Sequence, residues 1–532
     1  MKFNKRPRKS RLSTKGEIQP VPDGMKNDLA NRPDATMNYE GGLAFKTSPE
    51  MELYLRSSST LVGEPKFYDA SGEGDNEILR LVRQVAKTEP EFVLKLAAYC
   101  RNDIYLRTLP IMLLVESTAH PATRAFVRRY TPSIVRRADE LAEAVAAFKH
   151  RYGDIGDKSK KGMLSNPLKR GLADAFQNFN EYQLSKYDRD GEVKLRDVLR
   201  IVHPKPRDKA QAELWKRVIE RSLPTPRTWE TVISTRGSTK ENWESILPDM
   251  PFMATLRNLR NLLDKKVDMK IAIERLTNKV QVLNSKQFPY RFFSAYRELQ
   301  GHDNPKTPKV LEALEIAMDI SVENVPEMKG MTAIFGDNSG SMDGTVSAKS
   351  KVKRREVAGI LAAMSHKVCE QAICGVFGEK FRTVHIMQSE GIIGNAARMS
   401  QTDVGHSTNA YLAINYLLEQ RFKVDRILLF SDMQCYDSRE GRQIFRRHLG
   451  ESLAAHMAAY RRKVNPKIAL YSFDLAGYGT AQFPQDDPNV ALLSGWSDRI
   501  LQFIPAFEQR RRVLDRIRRI DQETYLKRTE ED

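Results

Sequence analysis

Thr332-Ala333-Ile334-Phe335, followed one residue later by Asp337-Asn338-Ser339-Gly340-Ser341, is the stretch on which the reading of this chain turns. The first four residues are a short apolar run bounded by glycine and acid, which predicts a strand. The next five place one carboxylate and two hydroxyls at alternate positions just past its end. Alternate spacing aims three oxygens at one point. Downstream, Val357, Ile360, Leu361, Met364 and Val368 recur at helical spacing. Ala372-Ile373-Cys374-Gly375-Val376-Phe377, Ile427-Leu428-Leu429-Phe430 and Ile468-Ala469-Leu470-Tyr471-Ser472-Phe473 each read as a strand, with Leu412 to Leu418 helical between the first two. Strands alternating with helices predict a parallel sheet covered on both faces. Ligands of such sheets sit beyond the strand carboxyl ends.

Two more strand-end loops can complete an oxygen shell. Gly405-His406-Ser407-Thr408-Asn409 offers the Thr408 hydroxyl, and Ser431-Asp432 offers a second carboxylate. Asp337, Ser339, Ser341, Thr408 and Asp432 form an all-oxygen set with few charges. Such a set suits Mg²⁺, or Mn²⁺, and not zinc, which prefers Cys and His. The same residues also fit a capped strand-to-helix turn that holds no metal. Catalysis has little support: no P-loop, H-E-x-x-H or G-x-S-x-G pattern is present. His406 beside the metal loops reads as structural rather than as a base.

Before this region the grammar is helical. Ile78, Leu81, Val82 and Val85 share one helical face, and Phe92, Val93, Leu96, Ala97 and Cys100 restart the spacing after Glu89-Pro90. Pro110 and Pro121 open further helical stretches, and 133–150 reads as one long Ala-rich helix. Short amphipathic helices with tight breaks predict stacked helical hairpins from about 40 to 325, although no fixed-period repeat is visible.

Composition limits the function classes. The chain has 532 residues, 41% hydrophobic and 29% charged, which is too long for one core and too apolar for general disorder. No apolar run approaches the roughly 18 residues of a membrane-spanning helix. Lys and Arg number 86 against 68 Asp and Glu, a net charge of +18, which favours a polyanionic partner, usually nucleic acid. Cys100, Cys369, Cys374 and Cys435 form no disulfide framework, and the basic N-terminus has no apolar core like that of a secretory signal. A cytoplasmic setting is expected. Residues 1–20 carry Lys2, Lys5, Arg6, Arg8, Lys9 and Arg11 and read either as a flexible arm on phosphates or as a solvated terminus.

Strand-end D-x-S-x-S with its two companion loops resembles the metal-ion-dependent adhesion motif of von Willebrand factor A domains, over residues 329–505. By that resemblance Ser339, Ser341 and Thr408 ligate directly, and Asp337 and Asp432 often act through water. The helical part has a resemblance of its own, carried by Asn38-Tyr39-Glu40-Gly41-Gly42-Leu43-Ala44-Phe45, by Pro90-Glu91-Phe92-Val93-Leu94-Lys95-Leu96-Ala97, by Val198-Leu199-Arg200-Ile201-Val202-His203-Pro204-Lys205-Pro206 and by Leu311-Glu312-Ala313-Leu314-Glu315. These look like the TROVE module, here over 21–328. A TROVE module followed by an A domain is similar to the Ro autoantigen family, including its bacterial members. The fold this implies is α plus α/β: a monomeric helical-repeat (HEAT-like) ring closed by a doubly wound von Willebrand factor A domain, with a basic helix or tail over 506–532.

The resemblance also implies a function. Ro proteins bind small noncoding Y RNAs on the outer surface and thread single-stranded 3′ ends of misfolded RNAs into a central hole. Bacterial members work with a 3′ exonuclease, polynucleotide phosphorylase. Carried over by motif, the Y RNA surface would use Lys186, His203 and Lys205, with Arg189 matching in a locally altered spacing. Cations there would bind phosphate, and the imidazole would donate to or stack on a base. The bland alternative makes His203 a helix-terminal residue held by the backbone before Pro204. A second function class stays open: a metal-dependent protein adaptor that grips a partner carboxylate and binds no specific RNA. Neither reading is enzymatic. Among other cations, Lys349, Lys351, Lys353, Arg354 and Arg355 could contact RNA, although charged helix faces are usually only solvated, and Arg510, Arg511, Arg512, Arg516, Arg518 and Arg519 read either as a docking helix or as RNA contacts.

Overall fold

The structure is a computed structural model. It describes residues 21–59, 73–153, 164–188, 191–224, 226, 228–287, 289–325, 327–346, 350–387, 390–438, 451–495, 501, 504, 508, 512–521 and 523–525. The basic segment 1–20, Arg189, Lys349, Arg510 and Arg511 lie outside the described residues. Packing divides the chain into two compact units. One holds residues up to Gly74 and Ser238–Val513, the other Asp75–Gly237 and Leu514–Asp532.

The second unit, as far as it is described, is helical throughout. Its helices Pro90–Asn102, Thr108–Ser117, Pro121–Ile134, Ala138–Tyr152 and Asn166–Phe176 follow one another at short breaks. Pro90–Asn102 packs on Thr108–Ser117, both pack on Pro121–Ile134, and alternate helices stack, Pro121–Ile134 on Asn166–Phe176 and Thr108–Ser117 on Ala138–Tyr152. Ile78, Leu81, Val82 and Val85 are all buried, as their spacing predicts. The single helix expected over 133–150 is instead two. Val135 turns extended, and a new helix starts at Ala138. The Glu140 carboxylate explains the break: it accepts the N–H groups of Arg136 (2.8 Å) and Arg137 (3.0 Å), donors left over at the new helix start. Glu140 is fully buried and also receives Arg101 at 2.8 Å. Basic residues in this unit are mostly paired. Arg128 meets Asp174 at 2.6 Å, and Arg518 grips Glu89 through two bonds of 2.7 and 2.8 Å. Arg516 pairs with Asp103. The described arginines 516 and 518 of the last helix thus serve docking.

The first unit is built around a sheet. Strands β1 (Ala35–Met37) and β2 (Leu43–Phe45) form a small antiparallel hairpin. Strands β3 (Met328–Asp337), β4 (Cys369–Phe377), β5 (Phe381–Thr383), β6 (Arg426–Ser431), β7 (Ala469–Asp474) and β8 (Val490–Ser494) make a six-stranded sheet in the order β5-β4-β3-β6-β7-β8. All pairings are parallel except β5 against β4. Residues Thr332 to Asp337 and the whole of β6 are buried, so both sheet faces are covered. Each fully buried Ile, Leu or Phe here contributes about 1.5–3 kcal/mol relative to exposure.

The strands and helices expected from Thr332 to Phe473 are all present, with ends within a few residues. The hairpin β1–β2, edge strand β5 and strand β8 go beyond the sequence expectations. β5 is three residues long and β8 lacks polar alternation, so neither leaves a periodic signal. Strand β3 connects through the helix Arg354–Val368 to β4 on one side, and the chain returns to place β6 on the other. The carboxyl ends of β3 and β6 therefore flank the crevice where strand order reverses.

Candidate metal centre and nucleic-acid surface

Sheet register assembles the oxygen cluster. Gly336 stands opposite Phe430, so Asp337 and the Ser431-Asp432 pair leave the sheet side by side. Asp337 accepts the Ser339 N–H on Oδ1 and the Ser431 hydroxyl on Oδ2, both at 2.8 Å. The Ser339 and Ser341 hydroxyl oxygens are 3.3 Å apart. Adjacent ligands of an octahedral ion with 2.0–2.1 Å bonds stand about 3 Å apart, so this spacing suits Mg²⁺. The third loop is brought in by backbone: Gly340 N–H donates to the His406 carbonyl at 2.9 Å, and Tyr436 N–H to the Thr408 carbonyl at 3.0 Å. Asn409 ties that loop to Ser438 at 2.8 Å.

All five predicted residues are buried: Asp337, Ser339 and Asp432 at 0%, Thr408 at 3% and Ser341 at 5% exposure. Burial raises the Asp337 carboxyl well above the usual range, and the neighbouring Asp432 raises it further. Burial also raises Asp432, against the Ser341 hydroxyl and the Gln434 N–H, which favour its charged form. Asp432 Oδ2 makes no hydrogen bond. Two buried carboxylates, one with an orphaned oxygen, and three hydroxyls match the needs of a hard divalent ion. No cluster of three or more His, Cys, Asp or Glu side chains that could hold a metal occurs among the described residues, so zinc-type coordination has no host there. Cys435 lies beside the site, but burial pushes its thiol far up, so it is inert.

One further participant emerges only from the fold. The loop Asn38–Gly42, between β1 and β2, seats on the segment after β6. Asn38 Nδ2 donates to the Cys435 carbonyl at 2.8 Å, and the Tyr39 N–H donates to Gln434 Oε1 at 2.9 Å. Gly42 approaches so closely that an added Cβ would stand 2.1 Å from the Cys435 oxygen. In sequence these residues only precede a helix; that they brace a strand-end loop nearly 400 residues away carries no local signal.

The predicted RNA-facing residues lie in the helical unit. Lys186 closes the helix Glu181–Tyr187, with its ammonium 3.8 Å from Glu230 and 5.8 Å from the Tyr182 and Tyr187 ring centres. His203 ends the helix Leu195–Val202 in a left-handed conformation, φ 47° and ψ 59°, with its N–H bonded to the Leu199 carbonyl at 3.0 Å and its side chain exposed. Lys205 is exposed, and its carbonyl accepts Gln177 Nε2 at 2.7 Å. The helices bearing Lys186 and His203 both pack on the helix Lys209–Glu220. No direct contact joins the Lys186 and His203 side chains.

A family model, the TROVE domain, matches residues 48–222 and 220–310. This is a TROVE-domain protein. The chain is 27% identical over 332 residues to mouse telomerase protein component 1, covering 46% of this chain and 12% of that one. The rat protein of the same description is 26% identical over 333 residues, with 47% and 13% covered. The chain thus spans about an eighth of the length of these relatives. Among solved structures, the crystal structure of the Deinococcus radiodurans Ro (RSR) protein matches with a TM-score of 0.61 and 17% identity, over 86% of this chain and 99% of that one. The TROVE-domain protein therefore shares the Ro fold. His203 sits within the first matched TROVE stretch, and the oxygen cluster lies beyond the second.

Proposed function

We propose that this chain is a non-catalytic RNA-binding scaffold of the Ro type: a helical ring closed by a von Willebrand factor A domain. Proteins of the TROVE and Ro family bind RNA. In this reading the outer surface that includes Lys186, His203 and Lys205 takes a small Y-type RNA. Misfolded or single-stranded 3′-ended RNA is captured for quality control or decay in the cytoplasm, with a 3′ exonuclease such as polynucleotide phosphorylase as partner. The observation that carries it is His203. Left-handed backbone costs a non-glycine residue roughly 1–2 kcal/mol, yet the chain presents an exposed imidazole there, followed by exposed Lys205 and Arg207. That arrangement offers cations to phosphate and a flat donor to an unstacked base.

Asp337, Ser339, Ser341, Thr408 and Asp432 would hold a divalent ion, Mg²⁺ or Mn²⁺. When bound, the ion supplies a coordination position for an acidic group of a partner. The orphaned Asp432 Oδ2 supports a second reading, a metal-dependent protein adaptor without specific RNA binding. One experiment separates the two. The protein is isolated from its host beside His203→Ala, and the accompanying RNA is sequenced. A discrete structured RNA depleted in the variant supports the scaffold. No RNA above background at moderate salt favours the adaptor.

A further inference from the structure

The helices Phe252–Asp264 and Pro289–Leu299, with the segment Ser350–Val352, line a half-open cavity of about 410 Å³ in the sheet-bearing unit. Its walls carry five cations, Arg257, Arg260, Arg291, Arg297 and Lys351, against one carboxylate, Glu298. Two of the five are engaged: Arg260 binds Glu298 at 2.5 Å, and Arg297 meets Glu356 at 3.1 Å. Arg257, Arg291 and Lys351 are exposed and have no carboxylate partner among the described residues. The contrast within one basic run is informative. Lys353 and Arg355 both pair with Asp343, and Arg354 is buried, whereas Lys351 lines the cavity unpaired. The floor is apolar, formed by the buried Leu256, Leu259, Leu299 and Val352.

We infer that this cavity binds one nucleotide unit of single-stranded RNA, with its phosphate on Arg257, Arg291 and Lys351 and its base on the leucine floor. Guanidinium forks match phosphate oxygens in a bidentate manner, and the apolar floor receives the face of any base. The volume lies at the small end of ligand pockets, which admits one unstacked nucleotide and no duplex. This inference rests on the RNA-binding reading and adds a site to it, in a unit other than the one that carries His203. Substituting Arg257 and Arg291 breaks no ion pair among the described residues, so the variant should fold as the wild type does.

The test uses the full chain and a fluorescein-labelled ten-residue oligouridylate, followed by anisotropy across a salt series, with Arg257→Ala/Arg291→Ala beside the wild type. The double variant should bind roughly tenfold or more weakly, and its salt slope should fall by about 0.7, for the one single-strand phosphate no longer neutralised. Its melting temperature should be unchanged, and so should its affinity for the structured RNA that depends on His203. Wild type that binds the oligonucleotide, with a double variant of equal affinity and slope, overturns the cavity assignment and leaves the RNA reading intact. Wild type that binds no RNA overturns both. Uridine monophosphate saturating the wild type at micromolar concentration without displacing the oligonucleotide would show a free-nucleotide site and overturn the RNA assignment.

Discussion

Replacing Gly42 and replacing Gly41 by alanine should have quite different effects, although the two are neighbours in one loop. At Gly42 the new Cβ would stand 2.1 Å from the Cys435 carbonyl oxygen, 2.8 Å from the Tyr436 Cβ and 2.9 Å from the Tyr436 Cα. Non-bonded atoms settle near ~3.5 Å, so the two backbones must separate by roughly 1 Å or more. Two of the obstructing atoms are main chain, so no side-chain rotation relieves the clash. Overpacking of this kind costs about 1–3 kcal/mol. Separation also lengthens the Asn38 to Cys435 and Tyr39 to Gln434 hydrogen bonds, at ~1 kcal/mol each. The sum for Gly42→Ala is about 3–5 kcal/mol, or a fall in melting temperature of roughly 6–10 °C at ~2 °C per kcal/mol. Gly41 has φ +79° and nothing within 4 Å of an added Cβ. Its alanine variant should lose only the left-handed penalty, about 1 kcal/mol. The loop also touches function, because the Gln434 N–H holds Asp432 Oδ1 at 3.1 Å. Thermal melts with chelator and with a Mg²⁺ series should therefore show a weakened metal response in Gly42→Ala and an ordinary one in Gly41→Ala. Equal stability of the two variants, or equal Mg²⁺ midpoints, would refute the reasoning.

Saturating Mg²⁺ at a hundred times its dissociation constant should stabilise the wild type by about 2.7 kcal/mol. In Asp337→Asn that increment should vanish, while the chelated variant melts no lower than chelated wild type because a buried like-charge pair is gone; calorimetry with and without metal checks both. His203→Gly should raise stability by roughly 1 kcal/mol through relief of the left-handed backbone and at the same time weaken binding of the co-purified RNA, read by urea melts and filter binding. Burial, aided by His385, lowers the His366 pKa from 6.5 to about 4. The unfolded chain then binds more protons between those values, so the contribution of His366 is intact above pH 6.5 and is lost as pH falls towards 4. The loss approaches roughly 3 kcal/mol, and His366→Gln should flatten that part of a stability–pH curve.

Much of the candidate metal centre is legible in the sequence because its signals are local. Asp337, Ser339 and Ser341 follow one strand at alternate positions, and an apolar run ending in Ser431-Asp432 announces a strand end by itself. The helix over Glu73–Thr88 is equally plain, from four apolar residues on one face. The break at Val135 is not, since it depends on Glu140 capping a helix that the Ala-rich composition would begin earlier. His203 is the backbone-held helix terminus that the residue before Pro204 suggested, and its side chain is exposed.

The sequence alone determined the alternation of strands and helices, the five candidate oxygen donors and the TROVE and Ro resemblance, because periodicity and motif spacing act over a few residues. Tertiary structure alone decided the rest. Parallel pairing of β3 with β6 set Asp337 beside Ser431 and Asp432. Close packing put Asn38 and Gly42 on the loop after β6, and two distant helices met Ser350–Val352 to leave three cations around one cavity with no carboxylate partner among the described residues. Register, close approach and the pairing of charges depend on which surfaces meet in the folded chain, and residues far apart in sequence carry no local mark of that meeting.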